Sequence, residues 1–129
     1  MRTLLVVDAA NVVGSVPDGW WRDRHGAAER LRDRLVAYAD AGLPDHPGPL
    51  DVTLVVEGAA RGVESVEGVR VVAAPGSGDD RIVELVADEA AARPCLVVTA
   101  DRELRRRVGE LGAECLGPRS VRQPGAERE

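Results

Sequence analysis

Five short runs rich in valine and leucine punctuate the chain, at Thr3–Val7, Asp51–Val56, Val69–Ala73, Cys95–Thr99 and Ala113–Leu116. Most are nearly continuous rather than alternating. That is the pattern of strands covered on both faces, and such strands belong to parallel sheets flanked by helices. The segments between them supply the helices. From Arg24 to Ala41, Ala27, Ala28, Leu31, Leu35 and Tyr38 recur at three- and four-residue intervals. Asp79 to Ala92 repeats the stripe with Ile82, Val83, Val86 and Ala90, and Arg102 to Leu111 with Leu104, Val108 and Leu111. Strands alternating with helices predict an α/β fold, a three-layer α/β/α sandwich around a mostly parallel sheet of about five strands.

A chain of 129 residues, 44% of them hydrophobic, is the size of one compact domain with a real core. Residues 1–117 carry all the periodic segments and are expected to form it. Residues 118–129 have no apolar period and read as a flexible C-terminal tail. Gly14–Gly19 and Gly42–Pro49 read as Pro/Gly-rich surface loops, and residues 58–68 as a short helical turn or a loop. No run approaches the roughly 18 apolar residues of a membrane span, and Arg2 leads straight into a strand without a signal-peptide pattern. A cytoplasmic protein with no membrane partner is expected. Cys95 and Cys115 lack metal-site spacing and read as reduced and inert.

The net charge of −5 argues against binding nucleic acid by general basicity. It is compatible with a carboxylate site whose charge is cancelled by bound cations. Parallel α/β sheets bind ligands at the carboxyl ends of their strands, so the residues there carry the chemistry. The first strand ends in Asp8, with Asn11 three residues on; the second ends in Glu57. The third is followed by Asp79 and Asp80, and the fourth by Thr99, Asp101 and Glu103. Carboxylates converging on one rim raise each other's pKa unless a cation neutralises them, and Mg2+ or Mn2+ prefers such oxygen donors. His25 and His46 are too scattered for zinc. Without any lysine a P-loop is impossible, and neither a dinucleotide fingerprint nor a nucleophile elbow is present. Asp8 itself follows LLVV and precedes AAN rather than a helix-start pattern, an unfavourable place for a desolvated carboxylate unless it is paired or coordinated.

The segments VVDAAN at 6–11, GSGDDRIVELV at 76–86 and VVTADRELRRRV at 97–108 resemble, in this order and spacing, the NYN branch of PIN-like nuclease domains in its small bacterial form. The resemblance spans residues 3–117. It implies a metal-dependent ribonuclease that cleaves RNA, single-stranded RNA being the expected partner, with an activated water and Mg2+ or Mn2+ as cofactor. The residues matching the family motifs are Asp8 and Asn11, Asp79 and Asp80, and Thr99 and Asp101. Asp8, Asp80 and Asp101 are the implied metal ligands, with Asp79 completing the cluster. Asn11 would fix Asp8 or contact a phosphate, and Thr99 would bond to Asp101 or a phosphate oxygen. A fourth acid has no unique match among Glu57, Glu64, Glu67 and Glu103.

Each motif also has a plain structural reading. Ser77 with Asp79 and Asp80, and Asp101 before Arg102, satisfy helix N-terminal signatures. Trp20 and Trp21 would stack on bases or anchor their loop. Arg105–Arg107 would contact RNA backbone or form the solvated face of a helix. Two other functions use the same residues: a non-catalytic RNA- or protein-binding module, and a nucleotide phosphohydrolase. A symmetric homodimer would assemble a positive groove that the single chain lacks.

Overall fold

The computed structural model describes residues 1–122. Its central strand, β1 (Leu4–Asp8), is buried along its whole length. After helix α1 (Ala9–Gly14), a 3-10 turn (Trp20–Arg22) and helix α2 (Arg24–Ala41), the chain forms a small hairpin of β2 (Gly42–Leu43) and β3 (His46–Pro47). It continues through β4 (Asp51–Val56), a 3-10 turn (Gly58–Ala60), β5 (Val69–Ala73), α3 (Gly78–Glu89), β6 (Cys95–Val98), α4 (Arg102–Gly109), β7 (Glu114–Leu116) and α5 (Arg119–Arg122). The large sheet has the order β5-β4-β1-β6-β7, with every neighbouring pair parallel.

Alternation along β1 divides the interior in two. Leu5 and Val7 join Ala28, Leu31 and Leu35 of α2 and Val12 of α1 on one face, while Leu4 and Val6 join Ile82 and Val86 of α3 and Leu104 and Val108 of α4 on the other. Because both faces of a strand are buried, no polar alternation survives in its sequence. The three-layer α/β/α sandwich with a five-stranded sheet is therefore present as the strand pattern predicts.

Three local features differ from the sequence expectation, and residues 58–60 take the first of the two forms expected of their segment. Residues 9–14 are helical: Asp8 is the N-cap of α1, its Oδ1 accepting a hydrogen bond from the Asn11 amide at 3.4 Å. Gly42–Pro49 contains the β2–β3 hairpin, whose two-residue strands are too short for any periodicity. Gly42 has φ +79°, and a Cβ there would lie 2.1 Å from the Gly48 nitrogen, so the turn requires glycine. Residues 58–60 form a 3-10 turn. Residues 119–122, expected in the tail, form α5, and Val121 is fully buried in the core cluster that also holds Leu31 and Leu35; a single apolar anchor has no period to betray it. The rest of the expected tail, residues 123–129, lies outside the described residues.

Among the described residues no helix is long and apolar enough to cross a membrane. Cys95 and Cys115 are free, and burial pushes both thiols up, away from the reactive thiolate form. Val121→Ala removes two buried methyl groups, and it is expected to lower unfolding stability by about 2 kcal/mol in urea titration. An unchanged midpoint would show that α5 contributes nothing to the core.

Candidate active site

From β1 the chain adds β4 and β5 on one side of the sheet, then β6 and β7 on the other, so the strand order reverses between β1 and β6. At such a switch point the two following connections diverge and leave a crevice at the carboxyl edge. Asp8 stands at the end of β1 and Thr99 just past the end of β6, side by side across this crevice.

The Asp8 side chain is 4% exposed and Thr99 wholly buried. Thr99 Oγ1 donates to Asp8 Oδ2 at 2.9 Å and accepts from the Asp101 amide at 3.2 Å. Its own amide donates to the Leu116 carbonyl, and its carbonyl accepts from Arg105 Nε at 2.8 Å. Threonine at this position thus ties β1, β7, α4 and the Asp101 turn together. Asn11 makes a second tie: its Oδ1 accepts from the Ala100 amide at 2.8 Å, while its backbone amide serves Asp8. Its implied role of fixing Asp8 is thus carried by the main chain, and its side chain holds the opposite wall.

Burial raises the Asp8 carboxyl to a pKa of about 6, against the lowering effect of the Thr99 and Asn11 hydrogen bonds; Asp79 and Glu57 add repulsion. Asp79 is itself raised, first by burial and then by Asp101 and Glu57, with Arg107 acting the other way. These mutual effects place Asp8, Glu57, Asp79 and Asp101 around one rim. Of the four glutamates weighed for a fourth acid, Glu57 is the one that acts on Asp8 and Asp79. It is reached through Gly78, whose amide donates to Glu57 Oε1 at 2.7 Å and whose missing side chain leaves the room, since a Cβ would sit 2.4 Å from that oxygen. Glu57 and Asp79 thus meet at the N-terminus of α3, where the helix dipole favours negative charge.

Asp80 does not join them. Successive helical residues point about 100° apart, and Asp80 turns outward to pair with Arg107 Nη2 at 3.1 Å. Of the acidic pair, Asp79 faces the cluster, while Asp80, expected as a metal ligand, is engaged by Arg107. Asp101 also caps α4, its Oδ1 accepting from the Leu104 amide at 2.8 Å, so the capping and site readings hold together there. Glu64 and Glu67 are exposed, and Glu103 pairs with Arg106 on the solvent side of α4. The arginine run is committed as well: Arg105 to Thr99, Arg106 to Glu103 and Glu110, and Arg107 to Asp80. It forms no unpaired cationic stripe.

No family model matches the chain, and no curated protein does. Among solved structures, the crystal structure of Rae1 (YacP) from Bacillus subtilis is similar with a TM-score of 0.74 at 20% sequence identity, covering 92% of this chain and 70% of that one. A tryptophan-to-leucine variant of the same protein gives a TM-score of 0.70 at 21% identity, over 94% and 72%. The chain has a PIN-like fold. At this identity the likeness speaks for the arrangement of strands and helices, and the chemistry rests on the residues at the rim.

Among the described residues no three histidine, cysteine, aspartate or glutamate side chains are gathered closely enough to encage a metal ion. The rim offers one deeply buried carboxylate and others close enough to repel it. That repulsion has a thermodynamic signature. A carboxyl whose pKa is raised on folding favours the native state while protonated; the contribution is complete below the unfolded value of 3.8 and is lost as pH rises through about 6. In metal-free buffer Asp8→Asn, which keeps an acceptor for Thr99, is expected to be more stable than wild type at pH 8 by about 3 kcal/mol, the equivalent of that shift. The gain should vanish near pH 4 in urea titrations. A difference independent of pH would contradict the placement of Asp8.

Proposed function

We propose that this chain is a ribonuclease of the NYN branch of PIN-like domains, hydrolysing phosphodiester bonds of single-stranded RNA with Mg2+ or Mn2+. The observation that carries the reading is Asp8, a desolvated carboxylate at the switch point with Glu57 and Asp79 raising its pKa. A buried acid that weakens the free protein at neutral pH is at home where a ligand relieves it. The donors around it are all oxygen, which fits a hard cation. Mg2+ in particular is held by one or two carboxylates and keeps several waters, so it does not require a cage. Asp8 and Asp79 would hold it, with Asp101 beside Asp79. When bound, such an ion polarises the phosphate and lowers the pKa of water.

The chain's own residues divide the remaining work. Thr99 fixes the carboxylate plane of Asp8 through the 2.9 Å hydrogen bond, so that Oδ2 is oriented before any ligand arrives. Asn11 holds the 99–101 turn against α1 and keeps the crevice at one width. Asp79, raised by burial and by its acidic neighbours, stands at the rim with Asp8 and Asp101, where its carboxylate would help to orient an attacking water. Glu57 anchors the start of α3, which carries Asp79.

A non-catalytic binding module is the second reading, and the lack of a three-ligand cluster among the described residues favours it. Cleavage of end-labelled single-stranded RNA separates the two. Wild type is expected to cut only with Mg2+ or Mn2+. Asp8→Asn should lower the rate by more than about 100-fold and Asn11→Ala by about 10- to 100-fold. Asp80→Asn, which breaks only an exposed ion pair, should stay within about threefold of wild type. RNA bound but left intact by wild type and Asp8→Asn alike would establish the binding module.

A further inference from the structure

Next to the acidic rim, on the α1 side, lies a second cleft of about 260 Å³, lined by Ala10, Val13, Trp20, Arg24, Glu57 and Ala60 among others. We propose that it is a subsite for one unpaired nucleobase of the RNA; this rests on the ribonuclease reading above and adds to it where the substrate's base is held. The size decides between occupants. Pockets for drug-sized ligands run from about 300 to 1,000 Å³, so this one suits a single ring system rather than two stacked nucleotides.

Its walls have the chemistry of a base site. Trp20 is half-buried, braced edge-to-face by Trp21 with ring centroids 6.1 Å apart, and the Arg24 guanidinium lies over its ring at 5.3 Å. Indole and guanidinium are both platforms on which unstacked bases rest. Ala10, Val13 and Ala60 supply an apolar floor. Glu57 closes one end: its Oε1 is taken by the Gly78 amide, while its other carboxylate oxygen makes no hydrogen bond among the described residues and can accept from a base N–H. Glu57 also belongs to the acidic rim, and the floor residues Ala9 and Ala10 directly follow Asp8. A nucleotide with its phosphate at Asp8 therefore has its base beside this cleft. Trp21, 55% exposed, is not among the lining residues. The two tryptophans thus split the sequence alternatives, Trp20 as platform and Trp21 as its brace.

Free nucleosides and intrinsic fluorescence test this without any cleavage. In Trp21→Phe, which keeps an aromatic edge against Trp20, Trp20 is the sole tryptophan of the chain. Nucleosides should quench it saturably, and ribose alone should not. Ala10 is exposed, so Ala10→Leu fills the cleft without touching the core; added to Trp21→Phe it should weaken nucleoside binding about 5- to 150-fold, the range for loss of one base stack. Quenching that is linear in concentration, equal with ribose, or unchanged by Ala10→Leu would overturn the subsite. The outcome is separable from that of the ribonuclease test. Saturable binding by a chain that cuts no RNA keeps the subsite and removes the nuclease; Asp8-dependent cleavage without saturable binding does the reverse.

Discussion

The hydrogen bond from Thr99 Oγ1 to Asp8 Oδ2 is the interaction around which the carboxyl edge of this sheet is organised. It joins the ends of β1 and β6, the two strands between which the order reverses, and it does so with both partners out of water. Thr99 is at once a donor to Asp8, an acceptor for the Asp101 amide and a backbone partner of Arg105 and Leu116. Loss of that hydroxyl would leave Asp8 with the Asn11 amide alone and take away the acceptor of the Asp101 amide. A hydroxyl is well suited to the task, since it donates and accepts from one atom, which neither valine nor alanine can do.

Around this node the acids are arranged by helix starts rather than by long side chains. Asp8 caps α1, Ser77 caps α3 just ahead of Asp79, and Asp101 caps α4, so three helices direct their N-termini at the same rim. The partial positive charge of those termini offsets some of the repulsion among Asp8, Glu57, Asp79 and Asp101. It does not remove it, because Asp8 and Asp79 remain raised. Residual repulsion of this kind is relieved by a proton or by a bound cation. Arginines near the rim are spent elsewhere: Arg107 on Asp80 and Arg105 on the Thr99 carbonyl.

Much of this was readable in the sequence, and the parts that were not share a physical cause. Unbroken apolar runs announced a two-sided parallel sheet because both strand faces are buried. The rule that ligands meet strand ends pointed to Asp8, Thr99 and Asp101 directly. Asp79 and Asp80 were indistinguishable, since adjacent acids in one helical turn look alike until a partner such as Arg107 claims one of them. Glu57 competed with Glu64, Glu67 and Glu103; only its contact with Gly78, 21 residues away, singles it out. The glycine carried the missing signal, as its lack of a side chain makes room for that carboxylate. Helix α1 escaped notice because its cap is the same aspartate that marks the site, and its six residues, AANVVG, are too few to show a period. Val121 was hidden for a similar reason: a lone apolar residue in a four-residue helix leaves no pattern.

Asp8 is held desolvated and oriented at the switch point and is repelled by its acidic neighbours, a repulsion that the proposed cation would relieve. Carbon-13 NMR titration of the aspartate side-chain carboxyls, assigned through Asp8→Asn, tests it most directly. Without divalent ions one carboxyl should titrate at about 6, and adding Mg2+ should move that midpoint down into the ordinary aspartate range. An Asp8 carboxyl that titrates near 3.8 in the metal-free protein and does not respond to Mg2+ would contradict the account.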